Sequence, residues 1–195
     1  MRIAPGAETV DADTRRGEAR RLLVFGLFSE FPGMALELDA LADDFPADAW
    51  QEALWDLALK TGDGRKALEA FDDWMRRWNI GALPWLADSL RFQLCMMSLI
   101  PRELRPPGFV TAPYAAGGDL VPNPELRNRS GSWLNQFRWA ARRLVRREAY
   151  REIADHDKLC AERGLGEDAI RKAVIRVFAL CEVADPCGSS ALPSS

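Results

Sequence analysis

Ser130 to Arg151 reads SGSWLNQFRWAARRLVRREAYR, and its spacing decides the fold class. At about 100° per residue, Leu134, Phe137, Ala141, Leu144 and Val145 fall on one stripe, which predicts a helix from Ser130 to Asp155. Arginines occupy the rest of the circumference. Eight lie between Arg127 and Arg151, and Glu148 is the only acid among them. Arg138, Arg142 and Arg146 make one row, and Arg143, Arg147 and Arg151 make another. Like charges four residues apart on a helix repel by a few tenths of a kcal/mol per pair, so two such rows call for anions opposite them. Those anions are nucleic-acid phosphates, a partner's carboxylates, or the chain's own acids at Asp39, Asp43, Asp44, Asp48, Asp56, Asp72 and Asp73. Trp139 lies among the arginines, where an indole stacks on Arg142 or Arg143, stacks on an unpaired base, or buries against the N-terminal helices.

Helical spacing continues outward in both directions. Ala19, Leu22, Leu23, Phe25 and Phe28 predict a first helix that starts after Asp13 or Thr14 and stops at Phe31-Pro32-Gly33. A short helix over 34–42 follows, and Ala49, Trp50, Ala53, Leu54, Leu57 and Ala58 recur at helical steps behind Pro46. After a turn at Thr61-Gly62-Asp63-Gly64, a helix buries Ala67, Leu68, Phe71, Trp74 and Trp78 and exposes Asp72, Asp73, Arg76 and Arg77. Trp85 to Ile100 is apolar around most of its circumference, which predicts the central, buried helix. Only Gly108 to Thr111 offers a strand. The expected class is all-α: a helical bundle with a C-terminal helix-turn-helix-like module. Residues 1–13 read as a flexible leader, 14–100 as an N-terminal helical domain and 101–129 as a Pro/Gly-rich connection. Residues 130–183 read as the C-terminal module, with its last helix over 167–183, and 184–195 as a disordered tail.

Bulk composition sets limits on function. The chain has 195 residues, 48% hydrophobic and 28% charged, enough for a sizeable core. A net charge of −3 excludes a whole-surface basic footprint, so any polyanion site must be local. The N-terminus has no apolar signal segment, and Leu22 to Phe28 is too short to span a bilayer. Cys95, Cys160, Cys181 and Cys187 form no CxxC pair, and His156 is the single histidine. These features predict a cytoplasmic protein with reduced thiols, no metal site and no cofactor. No phosphate-binding, zincin or nucleophile-elbow motif occurs, and His156 reads as a solvent-exposed turn residue, so the expectation is a protein that is not an enzyme.

Lys158 to Val174, KLCAERGLGEDAIRKAV, resembles the helix-turn-helix pattern. Cys160 takes the small position that lets two helices cross, Gly164 the left-handed turn, Leu165 the apolar plug, and Ile170 and Val174 the buried pair. Arg163 stands where the pattern has a buried leucine, and Gly166 where it has a capping hydroxyl. The resemblance implies a last helix that buries Ile170, Ala173, Val174, Val177 and Cys181 and exposes Asp168, Arg171, Lys172, Ile175 and Arg176. Arg171, Lys172 and Arg176 would then face the major groove of double-stranded DNA. Arg143, Arg147 and Arg163 would contact phosphates, and Arg142 and Trp139 complete the expected DNA-binding set. The function expected from this is a small DNA-binding or DNA-associated protein of regulator or mobile-element accessory type. The alternative is a helical protein-binding module or maturation chaperone whose arginines pair with acidic surfaces. Arg21-Leu22-Leu23 through Phe28-Ser29-Glu30 and Pro32 resembles the opening helix of bacterial redox-enzyme chaperones, although their Pro/Asp/His signature is not intact.

Overall fold

The structure, a computed structural model, describes residues 12–45, 62–81, 83–98, 100–105 and 134–188. Eight α-helices and one 3-10 turn make up its regular structure, with no strand among the described residues. They are α1 (Ala12–Glu30), α2 (Pro32–Leu41), α3 (Gly62–Arg77), α4 (Pro84–Ser98), the 3-10 turn Arg102–Leu104, α5 (Leu134–Arg146), α6 (Tyr150–His156), α7 (Lys158–Arg163) and α8 (Glu167–Cys181). This is the all-α class that the periodicity predicts. The helix expected around Trp50, the strand expected at Gly108 to Thr111 and most of the 101–129 connection lie outside the described residues. None of the described helices is long and apolar enough to cross a membrane.

α1 makes its most extensive contact with α5, and both pack on α8. α6 packs on the same α8, while α2 joins α1 to α3 and α4. The buried residues form one cluster that runs from Ala19 to Cys181. The α1–α5 approach is set at Gly26. A Cβ there would lie 2.8 Å from the Phe137 carbonyl oxygen, 2.9 Å from its carbon and 3.2 Å from the Arg138 nitrogen. Only a residue without a side chain fits this close a backbone contact.

Several expectations are corrected by the packing. The single helix expected over 130–155 is two helices, because Arg147 adopts φ 60° and Arg147-Glu148-Ala149 leaves the helical path. Glu148 turns back toward the arginines, and the Ala149 N–H donates to the Glu152 carboxylate (2.6 Å) to start α6. The central helix is α5 rather than α4. Gln136, Phe137 and Trp139 to Val145 are all buried, whereas Phe92 of α4 is 57% exposed. Arg142 and Arg143 of α5 are themselves buried, which hydropathy does not register. Gly62 to Gly64 is the first turn of α3 rather than a loop, and Ala12 and Asp13 belong to α1 rather than to a leader. α8 ends at Cys181, where Glu182 adopts φ 55° and the Val183 N–H reaches the Phe178 carbonyl (2.9 Å). Residues 184–188 of the expected disordered tail form a turn, closed by a bond from the Gly188 N–H to the Asp185 carbonyl (3.1 Å).

Gly26→Ala will lower stability although alanine is the better helix former. The propensity gain is about 1 kcal/mol, whereas overlap with unyielding backbone costs roughly 3 kcal/mol. The expected net loss is about 2 kcal/mol, a fall of about 6 °C in Tm by calorimetry. Gly17→Ala is the control. It lies on the same helix with nothing near its Cβ position, and should raise Tm slightly. Equal effects from the two substitutions would contradict the close approach.

Candidate functional site

The arginine rows of α5 meet carboxylates within the chain. Arg138 donates to Glu30 at the end of α1 (2.9 Å from Nε). Arg142, nearly buried, donates to Glu148 (2.8 Å from Nε), and its guanidinium also lies 4.0 Å from Glu30 and 3.8 Å from Asp157. Arg146 lies 3.5 Å from Glu148 and 5.0 Å over the Phe31 ring. In the second row, Arg143 binds Asp185 with Nε (3.0 Å), donates to the Glu148 carbonyl (2.9 Å) and lies 4.4 Å over the Tyr150 ring. Arg151 pairs with Asp155 (3.6 Å).

Glu30, Glu148, Asp155, Asp157 and Asp185 are thus the counter-anions of every row member but Arg147, and none belongs to the acid set expected from the sequence. Asp43, Asp72 and Asp73 of that set pair instead with Arg105, Arg91 and Arg76, while Asp48 and Asp56 lie outside the described residues. Glu148 had a sequence signal, as the lone acid in the arginine run. Glu30 had none, because only the α1–α5 contact brings it to Arg138.

Asp157 and Asp185 each do two things. Asp157 caps α7 by accepting from the Leu159 and Cys160 N–H groups (3.0 and 3.2 Å) while facing Arg142. Asp185 accepts from Arg143, from the Tyr150 hydroxyl and from the Cys187 N–H (3.0 Å), tying the residues after α8 to α5 and α6. Burial pushes the Asp185 carboxyl up, but Tyr150, the Cys187 amide and Arg143 outweigh it and hold the carboxyl below the ordinary range. Burial and the Asp185 carboxylate push the Tyr150 phenol up to about 12. Desolvation likewise pushes the Cys95 thiol to about 11 and the Cys160 and Cys181 thiols to about 12, so these three sulfurs stay protonated. Cys187 is exposed, with Sγ 3.7 Å from the Arg147 carbonyl. No His/Cys/Asp/Glu group among the described residues could hold a metal ion.

The candidate nucleic-acid residues therefore separate into two sets. Arg142, Arg143 and Trp139 are buried, and Trp139 sits in the core at 2% exposure. Little of their surface is left open to a base or a phosphate. Arg147, Arg163, Arg171, Lys172 and Arg176 are exposed, and none forms an ion pair among the described residues. Locally the turn follows the expected chemistry. Cys160 is buried, Gly164 has φ 62° and ψ 34°, and Ile170, Ala173, Val174, Val177 and Cys181 are buried on one side of α8. Gly166 precedes α8 with no side-chain cap, and Arg163 is solvent-exposed where the pattern has a buried leucine. Asp168, Arg171, Lys172, Ile175 and Arg176 form the outward side. His156 ends α6, exposed, at the rim of a cleft of about 450 Å³ lined also by Glu30, Arg138, Arg142, Asp157 and Lys158.

Breaking the network should be costly at its buried centre. Arg142→Ala leaves Asp157 without its cation and Glu148 with only the exposed Arg146, both carboxylates being largely buried, so a loss of about 3 kcal/mol in urea unfolding is expected. A loss below that of an exposed pair, such as Arg76–Asp73, would contradict this. Asp185 supplies a pH signature. A carboxyl held below its unfolded value stabilises the fold above about pH 4, and that contribution disappears as pH falls through the folded value. Asp185→Asn is therefore expected to lower Tm at neutral pH and to flatten its decline below about pH 4. Comparisons with known protein families, characterised proteins and solved structures find no match, so the chemistry of the chain's own residues carries the functional case.

Proposed function

We propose that this chain is a helical protein-binding module of the adaptor or maturation-chaperone kind. The supporting observation is that the four arginines of α5, Arg138, Arg142, Arg143 and Arg146, are paired from within, by Glu30, Glu148, Asp157 and Asp185. Most of the positive charge on that helix is thereby spent on the protein's own fold. What remains is a weak polyanion surface. Residues 150–181, from α6 to α8, carry six cations and six carboxylates, so that stretch has no net charge. Binding to a phosphate backbone draws its affinity from counterion release and needs a net positive face. The opening helix, with its resemblance to redox-enzyme chaperones, lends the same proposal support.

A second possibility rests on α8 alone. Arg171, Lys172 and Arg176 are exposed, without ion pairs among the described residues, in a helix that follows a left-handed Gly164 turn. Those residues suit the major groove, with Arg147 and Arg163 on flanking phosphates.

Fluorescence anisotropy with random-sequence duplex DNA at low and physiological salt separates the two. The expected result is no saturable binding at either salt. Binding with a steep salt slope, reduced by Arg171→Ala with Arg176→Ala, would overturn the protein-binding proposal in favour of DNA. In parallel, photocrosslinkers placed at Ile175 and at Phe92, both exposed apolar positions, should yield discrete protein adducts in cells.

A further inference from the structure

Most arginines in the described residues have found a carboxylate: Arg20, Arg91, Arg105, Arg138, Arg142 and Arg143 all have one. The outward face of α8 breaks that habit. Arg171, Lys172 and Arg176 form no ion pair among the described residues, although Glu167 and Asp168 stand at the three- and four-residue spacings from Arg171 and Lys172 that permit one. Amid these cations lies Ile175, 49% exposed, one of few large apolar side chains left in solvent. At about 100° per residue, Ile175 falls between Arg171 and Lys172, and Arg176 lies beyond Lys172. Asp168 sits on the same line toward the N-terminus and the small Ala179 toward the C-terminus. The opposite side of α8 is anchored by Ile170, Val174, Val177, Phe178 and Cys181, all buried, so the face is a rigid platform.

We propose that this face docks an acidic amphipathic helix, which sets an apolar side chain on Ile175 and places carboxylates against Arg171, Lys172 and Arg176. Such docking rests on the protein-binding function proposed above and specifies the partner's chemistry. Glu167 and Asp168 already occupy the positive end of α8, so an acidic partner is turned away from the helix N-terminus. Its register is set by repulsion there and by attraction one and two turns further on. Ala179 leaves room beyond Ile175 for a second apolar residue of the partner.

The test uses the full chain and three fluorescent synthetic helices. They share one leucine row and differ only in the flanking residues, which are Glu, Gln or Lys. The Glu helix is expected to bind, about tenfold more tightly than the Gln helix, with the Lys helix weakest. Arg171→Glu with Arg176→Glu should weaken the Glu helix at least tenfold and raise affinity for the Lys helix. That exchange is one that damage to the fold does not produce. Ile175→Ala should weaken all three helices several-fold. Failure of the Glu helix to bind, or binding indifferent to the charge reversal, overturns the acidic-helix proposal. So does a concentration-dependent dimer in sedimentation that Ile175→Asp abolishes, since the occupant would then be a second copy. In each of these cases protein adducts from the crosslinkers keep the broader function standing. Nucleic-acid adducts would bring down both.

Discussion

At Gly26, α1 and α5 meet backbone to backbone, and the place of Glu30 in the arginine network depends on that contact. The Phe137 carbonyl occupies the space where a side chain would be. With the two helices this close, Glu30 one turn beyond Gly26 reaches Arg138, and its carboxylate lies 4.0 Å from Arg142. Elsewhere on α1, Arg20 crosses to Glu182 at the end of α8 (2.6 Å), donates to the Cys181 carbonyl (3.3 Å) and lies 5.0 Å over the Trp85 ring. α5 is thus enclosed, with α1 on one side and α8 on another, and its arginines must be satisfied where they stand. A guanidinium taken out of water without a partner costs far more than the pair repulsion along a helix row.

The break between α5 and α6 arises from that demand. Continued as a helix, the chain would have carried Glu148 onward along the axis and left Arg142 with only distant acids. With Arg147 in the left-handed region, Glu148 instead folds under the arginines, giving its carboxylate to Arg142 and Arg146 and its carbonyl to Arg143. A left-handed arginine is strained by about 1 kcal/mol or more, and several charge-assisted hydrogen bonds to one glutamate offset it. Asp157 and Asp185 close the network from further along the chain. Each also ends or starts a local structure, so electrostatic pairing and helix boundaries are solved by the same residues.

The helices themselves were largely legible. Apolar steps of three and four located α1, α2, α3 and α8 to within a few residues, and the buried stripe of α5 from Phe137 to Val145 lies where spacing put it. Periodicity reports which side of a helix is buried when one side is. It says nothing when two sides are, which is why burial was one of three readings open to Trp139 and why α4 looked like the centre. Hydropathy treats arginine as solvent-seeking, yet Arg142 and Arg143 are in the interior because partners from four separate segments reach them. For Arg142, those partners lie between 6 residues away, at Glu148, and 112 residues away, at Glu30. No local pattern encodes such pairings. The turn at Gly164, by contrast, is a matter of neighbouring residues, and there the sequence and the conformation agree.

The same distinction sorts the charges by role. Cations whose carboxylates arrive through tertiary packing, such as Arg142 and Arg143, are structural, and their count in the sequence overstates what is offered to a partner. Cations that stand apart from available acids carry more information. On α8, Glu167 and Asp168 are within helical reach of Arg171 and Lys172, and the side chains nonetheless stay apart. Where most of the described arginines are paired, an exposed isoleucine ringed by three cations without ion pairs among the described residues is a surface with unspent specificity. Net neutrality of residues 150–181 around it weakens the long-range attraction that a nucleic acid would need. Short-range complementarity is what such a surface can still exploit, and that favours a partner matched residue by residue over one recognised by total charge.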